Sequence, residues 1–143
     1  GQAMVAIKRT DPVSKALDVV GDRWTLAVLR ELLRGVTRFS ELKRAVDGIA
    51  ANILSNRLQR LERHSIVERH VYKDHPLRAE YRLTRKGHEL GVVAGALAAW
   101  GARHLSKEEN YILHEECGNM AEVRYFCREC DRLIRGAEVR LSS

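Results

Sequence analysis

Apolar positions along this chain recur at helical spacing, then in strict alternation, then at helical spacing again. Asp11-Pro12 suits a helix start, with Asp as cap and Pro in the first turn. Val13, Ala16, Leu17 and Val20 follow as an apolar stripe that Gly21-Asp22 interrupts. Trp24, Leu26, Ala27, Leu29, Leu32 and Leu33 predict a second helix that is nearly all core and ends at Gly35. Trp24 reads there as a core aromatic in preference to a ligand-stacking residue. A short helix is expected from Ser40 to Val46, with Phe39, Leu42 and Val46 inward and Phe39 placed before Ser40 as a hydrophobic residue precedes a cap. Gly48 suits the helix-ending position, where φ is often positive. From Ala51 to Arg63, Leu54, Leu58 and Leu61 fall at i, i+4 and i+7 and must face a core.

The period then changes. Ile66 to Tyr72 alternates Val67, Arg69 and Val71 against Glu68, His70 and Tyr72, and Glu80 to Thr84 alternates again. The polar segment from Lys73 to Ala79 joins the two, which predicts a β-hairpin with a cationic tip. Helix, tight turn, helix and basic hairpin are the order of a winged helix-turn-helix, in which the second helix lies in a DNA major groove. A long helix is expected from about Arg85 to Leu105, striped by Leu90, Val93, Ala94 and Leu97. Gly87, Gly91 and Gly95 recur along it, each costing a helix about 1 kcal/mol against Ala, so another backbone is expected to approach closely. Its stripe exceeds what a small winged helix covers, so a homodimer through this helix and the N-terminal one is expected. The fold class is therefore mainly α with a β-hairpin wing. The expected domains are a DNA-binding and dimerisation domain over 11–105 and a small appendage over 106–143.

About 100° per residue separates neighbours on a helix, so the face opposite the leucines carries Asn52, Asn56, Gln59 and Arg63, flanked by Ser55 and Arg60. Amide side chains pair bidentately with adenine and Arg with guanine. A solvated face usually mixes Glu and Lys, and these six residues include no carboxylate. Lys73 and Arg78 would meet phosphates, contacts that position without specifying sequence. His75 reads as a solvated loop histidine near phosphate, with a metal ligand or pH switch as the lesser readings. Net charge is +6, and Ala51 to Lys86 holds nine Lys/Arg against four Asp/Glu, a net +5 in a quarter of the chain. That allows nucleic-acid binding without proving it. No apolar run approaches the roughly 20 residues that span a bilayer, and no signal-peptide pattern opens the chain. The cytoplasm is the expected compartment.

These residues resemble the HxlR family of bacterial winged-helix regulators, within the broader MarR-like group. The resemblance rests on Ala16 to Thr25, Leu29-Arg30-Glu31-Leu32, Arg38-Phe39-Ser40-Glu41-Leu42, Leu54-Ser55-Asn56-Arg57-Leu58, Val67-Glu68-Arg69, Glu80 to Thr84, Gly87 and Trp100-Gly101. It implies a homodimeric transcriptional regulator whose Ala51–Arg63 helix reads operator DNA, with Arg38, Ser40 and Arg57 among the contacts. Repression is the expected mode, with a small-molecule effector between domain and long helix. Two departures stand out. Many members carry Cys-Pro where this chain has Asp11-Pro12, which removes thiol sensing at that position. Many open the reading helix with Ser-Pro where this chain has Ala50-Ala51, which removes a hydroxyl cap worth about 1 kcal/mol.

The tail pairs His114 with Cys117 and Cys127 with Cys130, with two residues between the members of each pair. Such N/S pairs suit a structural tetrahedral Zn²⁺ in a zinc-ribbon-like fold. Metal-free reduced cysteines, or a redox switch at Cys127 and Cys130, are the other readings. An enzyme is not expected, because no phosphate loop and no nucleophile–base set is present. The competing function is a winged-helix protein-interaction module with a structural zinc ribbon, which would favour exposed Leu, Phe or Tyr on the reading face.

Overall fold

A computed structural model describes residues 10–107 and 112–142, so 108–111 and 143 of the expected appendage lie outside it. The helices are α1 (Pro12–Val20), α2 (Arg23–Leu33), α3 (Phe39–Ala45), α4 (Ala51–Arg63), α5 (Arg85–His88) and α6 (Leu90–His104). The strands are β1 (Val67–Asp74), β2 (Leu77–Leu83), β3 (Tyr125–Cys127) and β4 (Arg132–Ile134). The strands form two separate antiparallel pairs, β1 with β2 and β3 with β4. No helix among the described residues is long and apolar enough to cross a membrane.

The chain divides into a unit ending at Gly91 and a unit beginning at Val92, so α6 groups with the tail, whereas a division after Leu105 was expected. In the first unit α2, α3, α4 and the hairpin base enclose one core. Val28, Leu29, Leu42, Leu54, Leu58 and Leu61 are at most 1% exposed within it. Trp24 is half-buried against this core, with the Arg23 guanidinium 5.4 Å from its ring. The cap at Asp11 forms as its sequence predicts, its carboxylate accepting from the Ser14 N–H at 3.0 Å and the Ser14 hydroxyl at 2.7 Å. Of the α1 stripe only Val20 is buried, while Val13 and Leu17 are exposed.

Three expectations change in detail. The short helix starts one residue early, at Phe39, with Arg38 at its cap and no side-chain bond there, so Ser40 lies exposed in the first turn. The hairpin strands extend almost to its tip, pairing Lys73 with Arg78 and Asp74 with Leu77 and leaving only His75-Pro76 between them. The long helix is interrupted at Glu89. The glycines explain part of that region. A Cβ on Gly87 would stand 2.2 Å from the Ile66 carbonyl oxygen, the close backbone approach expected. At Gly91 and Gly95 the nearest atoms are instead side chains, Leu33 Cδ2 at 3.5 Å and Ile112 Cδ1 at 3.2 Å.

Candidate nucleic-acid interface

Helix α4 is built to show one side. Leu54, Leu58 and Leu61 are fully buried, which turns Asn52, Asn56, Gln59 and Arg63 outward and leaves Ser55 half-buried. Its first turn has no side-chain cap, as Ala50 requires, and only the Ala50 carbonyl starts the ladder, accepting from the Leu54 N–H at 3.0 Å.

A residue the sequence reading passed over as a helix breaker fixes the orientation of α4. Asp22 caps α2, accepting from the Thr25 N–H at 3.0 Å and the buried Thr25 hydroxyl at 2.6 Å. The same carboxylate accepts from Arg57 Nε at 3.0 Å and from Arg60 Nη2 at 3.1 Å. Partial burial pushes its pKa up, but the Thr25 hydroxyl and N–H, followed by Arg57, outweigh that and bring it from 3.8 down to about 2. Arg57 and Arg60 were expected among the DNA contacts. Here one carboxylate at a helix cap meets both guanidiniums, two arginines a turn apart, and pairs with each. Arg57 also donates to the Asn56 side-chain oxygen at 2.7 Å, tying an outward amide to the clamp. The signal available in sequence was Asp three residues before Thr, a helix-capping pattern.

The wing is anchored at its base. Tyr81 is buried, and its N–H donates to the Thr37 carbonyl at 2.8 Å, while Arg38 makes a single antiparallel bridge to Glu80. The Thr84 hydroxyl donates to the Ser65 carbonyl at 2.6 Å and accepts from the Gly87 N–H at 3.0 Å, joining the hairpin end to α5. Between the wing and the start of α3 lies a cleft of about 210 Å³ lined by Arg38, Ser40, Arg69, Tyr72 and Arg78 among others. The Arg38 guanidinium sits 5.0 Å from the Tyr72 ring. None of these three arginines pairs with a carboxylate among the described residues. Lys73 and His75 lie exposed near the tip, and neither lines this cleft. Arg69 and Tyr72 were missed. Alternation grouped Arg69 with Val67 and Val71, and of β1 only Val67 is buried.

In the tail, His114 Nδ1 lies 3.3 Å from Cys117 Sγ, and the Cys130 N–H donates to Cys127 Sγ at 3.5 Å. That N–H lowers the pKa of Cys127, while the facing Cys127 side chain raises that of Cys130. The four expected ligands stand as two pairs. Among the described residues, no three His, Cys, Asp or Glu side chains stand together as a metal-holding group, so the expected zinc ligands remain two separate pairs.

A helix turned outward by a leucine seam beside a cationic hairpin is the arrangement of helix-turn-helix DNA-binding proteins. The profile of the HxlR-like helix-turn-helix family matches residues 19–109, and this chain belongs to that family. The HTH-type transcriptional regulator Rv3095 of Mycobacterium tuberculosis is 38% identical over 132 residues, covering 90% of this chain and 83% of its own. The solved structure of PA1607 superposes with a TM-score of 0.77 at 27% identity, over 94% of this chain and 96% of that one. The reduced transcriptional regulator YodB of B. subtilis matches 69% of this chain and 98% of its own at 31% identity, with a TM-score of 0.56.

Proposed function

We propose that the protein is a transcriptional regulator that binds specific operator duplexes as a homodimer, represses by occupying them, and answers to a small effector. The observation that carries this reading is the outer side of α4, where Asn52, Asn56, Gln59 and Arg63 lie exposed opposite a fully buried seam. These amides and this guanidinium are the groups that pair with adenine and guanine edges. Arg38, Arg69 and Arg78, with Lys73, Ser40 and His75 nearby, supply phosphate contacts that hold α4 in register.

Exposed apolar side chains support the dimer. Val13 and Leu17 on α1, and Val93, Leu97 and Trp100 on α6, are between 47% and 57% exposed. Such surface on a soluble domain marks an association site, and a second copy is the occupant proposed. Two copies would offer two α4 helices to major grooves about one helical turn apart. An effector reading is supported by a cleft of about 300 Å³ in the first unit, lined by Val19, Val20, Ile66 and Leu90 with His64, Lys86 and Glu89. Its apolar lining and few polar groups fit a small organic molecule. A protein-interaction role is disfavoured because the outer side of α4 offers no Leu, Phe or Tyr.

Selection of bound duplexes from a random pool tests the function. A defined motif with two half-sites is expected, and sedimentation should show a dimer at micromolar concentration. An unenriched pool, or a monomer that binds only one half-site, contradicts the reading.

A further inference from the structure

The tail lacks the means to hold itself together by burial. Across 112–142 no residue is buried, and Leu113, Met120, Tyr125, Phe126 and Leu133 are all more than half exposed. Segments of this size need a cross-link or a metal where a core is missing. Hydrogen bonds here hold two turns. In the first, the Gly118 N–H donates to the His114 carbonyl at 2.8 Å and the His114 N–H to the Asn119 carbonyl at 2.8 Å, while Leu113 bridges to Met120. The second lies between β3 and β4, where the Cys130 N–H reaches Cys127 Sγ.

The two turns share one design. Each ends in a left-handed residue directly after its second ligand, Gly118 at φ 71° and Asp131 at φ 55°. Asp131 closes its turn in the left-handed region, where Asp is among the L residues best tolerated. The first turn also brings its two candidate ligand atoms face to face. His114 Nδ1 and Cys117 Sγ are 3.3 Å apart. A tetrahedral ion with bonds of about 2.0 Å to nitrogen and 2.3 Å to sulfur holds such a pair about 3.5 Å apart. The first turn is therefore a preformed half-site, and the second repeats its spacing and its left-handed closing residue. Residues 121–124, which link them, belong to no helix or strand, so bringing the halves together breaks no element.

We propose that the tail is a metal-dependent module in which one Zn²⁺ joins the two turns through His114, Cys117, Cys127 and Cys130. Three thiols lose their protons to solvent, neutral His114 contributes its lone pair, and the product is a four-coordinate complex of net charge −1 with three protons released. Three sulfurs and one imidazole in a tetrahedron select zinc over the hard oxygen-seeking cations. The ion supplies the cross-link that apolar burial does not.

The full chain, purified reduced and stripped of metal, is titrated with Co²⁺ and then Zn²⁺. One Co²⁺ per chain with the absorption of a tetrahedral thiolate complex is expected, displaced by one Zn²⁺, with three protons released near neutral pH. Cys127→Ser and His114→Ala should each weaken Zn²⁺ binding by about tenfold or more. Duplex binding by the first unit reports that each variant is folded. Reduced, duplex-binding protein that takes up less than about a tenth of an equivalent overturns the proposal. So do two ions per chain, variants that bind zinc as tightly as the parent, and a Cys127–Cys130 disulfide that forms while zinc is in excess.

Discussion

Among the described residues, the unit that ends at Gly91 buries thirteen apolar side chains and the unit that begins at Val92 buries none. Both contain β-hairpins, yet only the first hairpin is fastened to a core, through Tyr81 and the Thr37 carbonyl. In the first unit, shape follows from where leucines must go, and the polar reading side of α4 is what remains outside. In the second, shape follows from hydrogen-bonded turns, and the apolar residues remain outside. One unit is stable by burial. The other depends on whatever covers or cross-links it.

Substitutions separate the two regimes. Leu58→Ala should destabilise the first unit by about 2–5 kcal/mol, since a fully buried leucine leaves a cavity. Leu133→Ala in β4 should cost less than about 0.5 kcal/mol in the same urea titration, because its side chain is 60% exposed. Comparable losses at the two positions would erase the distinction. Gly87→Ala comes next, at about 1–3 kcal/mol, because its Cβ would meet the Ile66 carbonyl. Gly91→Ala meets only Leu33 at ordinary contact distance and should be neutral or stabilising by up to about 1 kcal/mol through helix propensity. Thermal melting of the pair sharpens where backbone contact, and where mere glycine, matters.

Asp22→Asn should cost less, about 1 kcal/mol, since an Asn retains most of the cap and the ion pairs are partly screened by solvent. Its signature is clearer in binding. Releasing Arg57 and Arg60 should raise affinity for random duplex and steepen its fall with salt. An unchanged salt slope would mean that the arginines are not held by Asp22 in solution. The carboxylate also sets a pH dependence. Its folded pKa lies below its unfolded value, so its contribution is complete above about pH 4 and is lost as pH falls toward about 2. Asp11 acts in the same direction, its pKa lowered chiefly by the Ser14 hydroxyl. Acid titration of the parent against Asp22→Asn should therefore converge at low pH.

Most of the helical unit was legible because apolar spacing at 3.6 residues has one reading. Leu54, Leu58 and Leu61 could face only a core, and Asn52, Asn56, Gln59 and Arg63 only away from it. The reach of the wing was not legible, since Lys73 pairs with Arg78 through main-chain bonds that polar side chains do not announce. Nor was the fate of Arg57 and Arg60. A helix wheel shows which side a guanidinium leaves from, but a long flexible side chain can turn back to a carboxylate more than thirty residues earlier. The break at Glu89 escaped because the apolar stripe runs on past it. In the tail, spacing marked the His114/Cys117 and Cys127/Cys130 pairs, yet spacing within each pair says nothing of the distance between pairs.

Competition between a selected operator and random duplex at physiological ionic strength tests the central claim most directly. Asn56→Ala and Arg63→Ala should each reduce the preference by about 1–3 kcal/mol, roughly fivefold to 150-fold, while leaving random-duplex binding nearly unchanged for Asn56→Ala. A parent protein that binds both duplexes equally, or a preference that survives both substitutions, would contradict the assignment of the α4 outer side as the reading surface.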